Sequence, residues 1–153
     1  MRLITNILLL SLLLPITYSC NNDENDQAPR VELSFDCPED MQREEIFIVI
    51  EEEPLFDGSL QAALTIPDIS LISFGDIELS TIISDEGSSC LSEVTGTGVT
   101  ENNLMNISSQ INNLPNWRPG MQNGIARNTL VCIRIEIRDG EVVSVEQEVG
   151  RCS

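Results

Sequence analysis

The fold is read from one stretch, Asn128-Thr129-Leu130-Val131-Cys132-Ile133-Arg134-Ile135-Glu136-Ile137-Arg138-Asp139-Gly140-Glu141-Val142-Val143-Ser144-Val145-Glu146-Gln147-Glu148-Val149. Its first half alternates. Val131, Ile133, Ile135 and Ile137 fall on one side and Cys132, Arg134, Glu136 and Arg138 on the other, the period of a half-buried strand. Asp139-Gly140 is a two-residue hairpin signal of the type I′ kind, and Glu141 begins a returning strand with Val143, Val145 and Val149 on one face. A two-residue turn sets Arg138 opposite Glu141 and Arg134 opposite Val145. That register puts Val143 and Val145 on the polar side with Glu136 and Arg134, so either both faces are partly covered or the turn is longer.

Upstream the same logic repeats. In residues 76–84, Ile77, Leu79, Thr81 and Ile83 share one face, and Glu78, Ser80, Ile82 and Ser84 the other. Asp85-Glu86-Gly87 is a turn signal, and a second strand is expected over residues 89–95, ended by Gly96-Thr97-Gly98. Thr100 can cap a helix, with Glu101 favourable in its first turn. Leu104, Ile107, Ile111 and Leu114 then recur as one apolar helical face, and Pro115 stops it. The order strand, strand, helix, strand, strand predicts an α+β fold: a small antiparallel sheet with one helix packed on one face. A further β-rich run, Phe47-Ile48-Val49-Ile50, is closed by Glu51-Glu52-Glu53-Pro54.

Charge excludes several functions. The 153 residues carry 25 acidic side chains against 8 basic ones and no histidine, a net charge of −17. Every basic residue is arginine. Such a surface repels phosphate backbones, so no nucleic-acid partner is expected. Without histidine there is no Ser-His-Asp or Cys-His catalysis and no imidazole metal ligand. No enzymatic activity, cofactor or metal is expected, and the Glu51-Glu52-Glu53 run reads as a solvated face. Acid is concentrated early: residues 21–58 hold thirteen carboxylates and two arginines, residues 101–153 six and five.

Met1-Arg2, the interrupted apolar run to Leu14 and the polar end Pro15-Ile16-Thr17-Tyr18-Ser19 read as a cleavable signal over residues 1–19. The run is shorter than the ~20 apolar residues of a comfortable membrane span. A cysteine directly after a small residue resembles the bacterial lipoprotein signal, which implies that Cys20 is lipidated and becomes the first mature residue. Residues 20–45 are then expected to be the lipidated cysteine and an acidic flexible tether. This places the chain in the cell envelope on an outer-membrane lipid anchor, facing either the periplasm or the surface. Cys37, Cys90, Cys132 and Cys152 remain as disulfide candidates, with three connectivities. With no C-x-x-C spacing and no histidine, zinc is disfavoured.

Between the helix and the third strand lies Leu114-Pro115-Asn116-Trp117-Arg118-Pro119-Gly120-Met121-Gln122-Asn123-Gly124. It resembles the P-x-W-x-P-G-x-x-N-G segment of the TonB C-terminal domain, a periplasmic energy transducer that drives outer-membrane transporters. A second block, Ile46-Phe47-Ile48-Val49-Ile50-Glu51-Glu52-Glu53-Pro54-Leu55-Phe56-Asp57-Gly58, resembles the lead-in of many TonB-like proteins. Residues 46–153 are therefore expected to form a TonB C-terminal-like domain. Read from the residues themselves, the motif is structural: Pro115 ends the helix, Trp117 fills the helix-to-sheet corner, Pro119-Gly120 reverses the chain and Asn123-Gly124 turns it into the strand.

The resemblance further implies an edge strand that pairs with an extended transporter segment, main-chain hydrogen bonds giving the affinity. That edge would be Val131, Cys132, Ile133, Arg134 and Ile135, already partnered in cis by the returning strand. It also implies that the first strand lies between the second and third. Cys90 and Cys132 are then about 9–10 Å apart, beyond the ~7 Å reach of a disulfide. Cys37 would pair with one of them and Cys152 with the other, unless a pair stays reduced. The expected function is a non-enzymatic lipoprotein linked to TonB-dependent outer-membrane transport. The alternative is a structural or sensing lipoprotein that keeps the fold without binding transporters.

Overall fold

The computed structural model describes residues 28–43, 45–115 and 117–152. The signal at 1–19, lipidation at Cys20 and the motif's Asn116 lie outside the described residues. In chain order the elements are β1 (Arg30–Ser34), α1 (Glu39–Arg43), β2 (Leu55–Phe56), α2 (Leu60–Ala63), a 3-10 turn at Ile69–Leu71, β3 (Phe74–Ile83), β4 (Ser89–Thr97), α3 (Glu101–Asn112), β5 (Trp117–Arg118), β6 (Gly120–Gln122), β7 (Ile125–Arg127), β8 (Thr129–Arg138) and β9 (Glu141–Val149). The main sheet is five-stranded, in the order β1-β4-β3-β8-β9, and each neighbouring pair is antiparallel. The fold is α+β and mainly strand, with β3 between β4 and β8 as expected.

One face of the sheet carries the core. Ile77, Leu79 and Ile83 of β3, Leu91 and Val94 of β4, and Val131, Ile133, Ile135 and Ile137 of β8 are all buried there under Leu104, Ile107 and Ile111 of α3. The helix begins where Thr100 Oγ1 accepts the Asn103 N–H at 3.2 Å and Asn103 Oδ1 accepts the Thr100 N–H at 3.0 Å, a reciprocal cap that satisfies two orphan donors. It lies close because β4 has a glycine beneath it: a Cβ at Gly96 would stand 2.8 Å from Leu104 Cδ2. At the far end Ser89 Oγ donates to the Ile111 carbonyl and Asn112 Oδ1 accepts the Leu91 N–H, both at 2.6 Å. The helix is thereby tied to β4 at both ends.

Three expectations are corrected. Residues 20–45 are not all tether: β1 pairs along β4, and Val31, Leu33 and Phe35 pack against the core, so the folded unit starts well before residue 46. The alternation Arg30-Val31-Glu32-Leu33-Ser34 drives this, because a period of two lets an acidic segment bury alternate side chains. The run Phe47-Ile48-Val49-Ile50 is no strand. Phe47 makes only an isolated parallel bridge to Thr129, and Val49 is 80% exposed. The edge expected at Val131 to Ile135 lies in an interior strand, since β8 is hydrogen-bonded to β3 on one side and β9 on the other.

Candidate interaction site

β9 forms one edge of the sheet, and its register differs from the simple hairpin. Asp139 (φ 49°) and Gly140 (φ 81°) make the two-residue turn with both central residues at positive φ, as type I′ requires. Arg138 faces Glu141 and Ile137 faces Val142. The register then shifts, so that Glu136 faces Ser144, Ile135 faces Val145 and Arg134 faces Glu146. Val143 is the extra residue of a β-bulge and stands 51% exposed. A bulge shifts the alternation by one, which turns Val145 to the core side beside Ile135. The turn is not longer, and Val145 does not lie on the polar face.

The polar face gains a charge network from the same shift. Arg134 lies 2.8 Å from Glu148 and 3.3 Å from Glu78. Its pKa is raised, first by the hydrogen bond to Glu148; desolvation opposes this, and the hydrogen bond to Glu78 adds a smaller upward push. Arg138 lies 2.6 Å from Glu136 and 3.4 Å from Asp76, and its guanidinium stacks 3.9 Å over the Phe74 ring.

Both ends of β9 are covalently fixed. The turn holds one end, and Cys152, just past the other, is bonded to Cys132 of β8 with Cα atoms 5.1 Å apart. Cys37, just past β1, is likewise bonded to Cys90 of β4 at 5.8 Å. Each edge strand is thus stapled to its inner neighbour. Cys90 and Cys132 are not partners, as the strand order requires.

Along β9 the Gly150 N–H points inward, donating to the Leu130 carbonyl at 2.9 Å. By strand alternation the main chain of Val145, Gln147 and Val149 points outward. Beyond the bulge Val142 also points outward, and its carbonyl accepts from Gln61 Nε2 at 2.8 Å. Gln147 Nε2 donates to the Pro54 carbonyl at 2.7 Å. Between Val145 and Gln147 on one side and Leu55, Phe56, Leu60 and Gln61 on the other runs a groove of about 350 Å³. Neither glutamine stood out in the sequence; a pair of polar side chains around a strand edge has no periodic signature.

The motif residues lie behind this groove. Trp117 is buried and meets Phe56 edge-on, ring centres 5.3 Å apart, where β2 pairs with β5. The Asn123 N–H donates to Glu51 Oε2 at 2.8 Å, Glu52 bridges Met121, and a Cβ at Gly120 would stand 2.5 Å from Thr129 Oγ1 and 2.8 Å from Ile50. The structure therefore brings the two quoted sequence blocks together. Pro115 follows the end of α3, and Asn123 and Gly124, both at positive φ, turn β6 into β7. These roles are structural.

Among the described residues no group of three or more cysteines and carboxylates is placed to hold a metal ion, and no helix is long and apolar enough to cross a membrane. No family model matches the chain, and no curated protein or solved structure matches it either.

Proposed function

We propose that the chain is a non-enzymatic lipoprotein of the cell envelope, anchored through Cys20 to the outer membrane, whose domain is a protein-interaction module of the TonB C-terminal kind. Its partner is an extended segment of an outer-membrane transporter, added as a strand. The observation that carries this is the outer edge of β9. The main chain of Val145, Gln147 and Val149 faces outward beside a groove walled in part by Leu55 and Phe56 of the lead-in block of the resemblance. Because β9 is tied to β8 at both ends, the segment joins outside β9 instead of replacing it.

A second reading, an orphan structural or sensing lipoprotein, is favoured by Gln61 and Gln147, which already occupy part of this edge. Titration of a transporter's TonB-box peptide into the intact oxidised protein separates the two. Binding with shifts of the Val145, Gln147 and Val149 amides supports the module; no binding, in the full chain or in one truncated after Arg138, supports the scaffold. Mass spectrometry of the purified N-terminus tests the anchor: acylated Cys20 supports it and an intact Met1 refutes it.

A further inference from the structure

The opposite edge of the sheet is β1, and it differs from β9 in being unobstructed by any of the described residues. The Phe35 N–H donates to the Ser92 carbonyl at 2.9 Å, so the odd residues of this strand face β4. By alternation the main chain of Arg30, Glu32 and Ser34 faces outward. No side chain among the described residues is bonded to it. Val31, Leu33 and Phe35 pack on the core yet remain only half-buried, leaving apolar surface along the edge.

Charge supplies a second, independent observation. Arg30 and Glu32 stand on the same face, two positions apart. Among the described residues Arg30 has no carboxylate partner and bonds only to Thr95 Oγ1, at 3.3 Å. Glu32 has no cationic partner among the described residues either. Such a strand is self-complementary. Placed antiparallel to a second copy about a two-fold axis at Val31, it sets each Arg30 opposite the other copy's Glu32.

We propose that β1 is a homodimer interface: two copies of this chain join their β1 edges through that register, making one continuous sheet across the dimer. The geometry of the rest of the strand agrees. In this register Ala28 faces Ser34 of the second copy, and outward residues pair only with outward residues, so each such pair exchanges main-chain hydrogen bonds. Pro29, which has no N–H, is an odd residue and faces Leu33 at a site that needs none. Val31 meets its own copy and Leu33 lies alongside, covering the half-exposed apolar row. The strand is held in place beforehand by the Cys37–Cys90 bond, which lowers the ordering cost of association. Main-chain bonds and apolar cover supply the affinity, and the exposed ion pairs choose the register.

Sedimentation equilibrium of the oxidised protein, from about 10 μM to about 1 mM, spans the range in which small interfaces associate. It should show a monomer–dimer equilibrium. Arg30→Glu and Glu32→Arg should each weaken the dimer about 10-fold or more, because each faces like charges across the axis. The double variant should restore it. The two single changes move the net charge in opposite directions, so a general effect of charge would weaken one dimer and strengthen the other. Both sites are exposed, and unchanged melting curves would show that folding is intact. A second readout is Val31→Cys: its Cα lies about 4.5 Å from its copy at the non-hydrogen-bonded site, so mild oxidation should cross-link the dimer. A monomer throughout the concentration range would overturn the proposal, as would a dimer that both single reversals leave unchanged or that the double variant does not restore.

Discussion

Cys152 reaches back past the end of β9 to Cys132 on β8, and this one bond decides which strand can present an edge. A strand tied only by a hairpin turn can peel away from its free end. One tied at both ends cannot leave without the bond being broken, so β8 stays interior.

The two disulfides should be unequal in energy and in what they release. Closing a loop of 20 residues stabilises by about 3 kcal/mol and one of 53 by about 4 kcal/mol on the chain-entropy estimate. Cys132→Ser with Cys152→Ser should speed hydrogen exchange at Glu148 and Gly150. Cys37→Ser with Cys90→Ser should act on Val31, Leu33 and Phe35 instead. Denaturant titration and residue-resolved exchange check both; the same exchange pattern from the two double variants would refute the assignment of one staple to each edge.

Two motif glycines should respond differently to alanine. At Gly120 the new Cβ meets Thr129, Ile50 and Pro54 at 2.5, 2.8 and 3.2 Å, an overpacked site that should lose about 1–3 kcal/mol. At Gly124 the Cβ meets nothing, and the strain is that of φ +70° alone, for which about 1 kcal/mol is expected. Melting temperatures should rank wild type, Gly124→Ala and Gly120→Ala in descending order.

Trp117 should matter for bulk and not for its indole N–H. It is 4% exposed, and its Nε1 makes no hydrogen bond among the described residues. Trp117→Ala should cost about 3–5 kcal/mol, whereas Trp117→Phe should keep the contact with Phe56 and lose clearly less. Equal losses in chemical denaturation would show that Nε1 has a partner.

Arg134 separates two carboxylates from neighbouring strands. Arg134→Gln leaves Glu78 and Glu148 without their shared cation, which should destabilise by up to about 1 kcal/mol for so exposed a network. Because salt screens like charges, the deficit against wild type should shrink as sodium chloride is raised. A deficit that stays constant with salt would mean the loss is one of packing.

Much of this fold is legible in periodicity. The apolar faces of β3, β8 and α3 are read directly from alternation and from three-four spacing, because each buries a long regular stripe. β1 is harder to see: its five residues alternate, but they follow an acidic tract, and only pairing along β4 reveals them. Opposite errors arise at Phe47 to Ile50, where β-prone residues have no adjacent edge left once β9 occupies the side of β8. The bulge at Val143 shifts the register without any glycine or proline to mark it, so strict alternation puts Val145 on the wrong face. Val131 to Ile135 lie inside the sheet because the Asp139-Gly140 hairpin supplies their partner in cis, a pairing the local sequence does show, whereas the place of β1 beside β4 comes from long-range pairing that no local pattern encodes.

On the proposed function, a partner segment adds outside β9 and does not displace it. Amide hydrogen exchange on the intact oxidised protein, with and without excess TonB-box peptide, tests this most directly. Val145, Gln147 and Val149 should gain protection, while Glu146 and Glu148, whose main chain bonds to β8, should keep theirs. Loss of protection at Glu146 and Glu148 on peptide binding would contradict it, because β9 would then be leaving the sheet to make room.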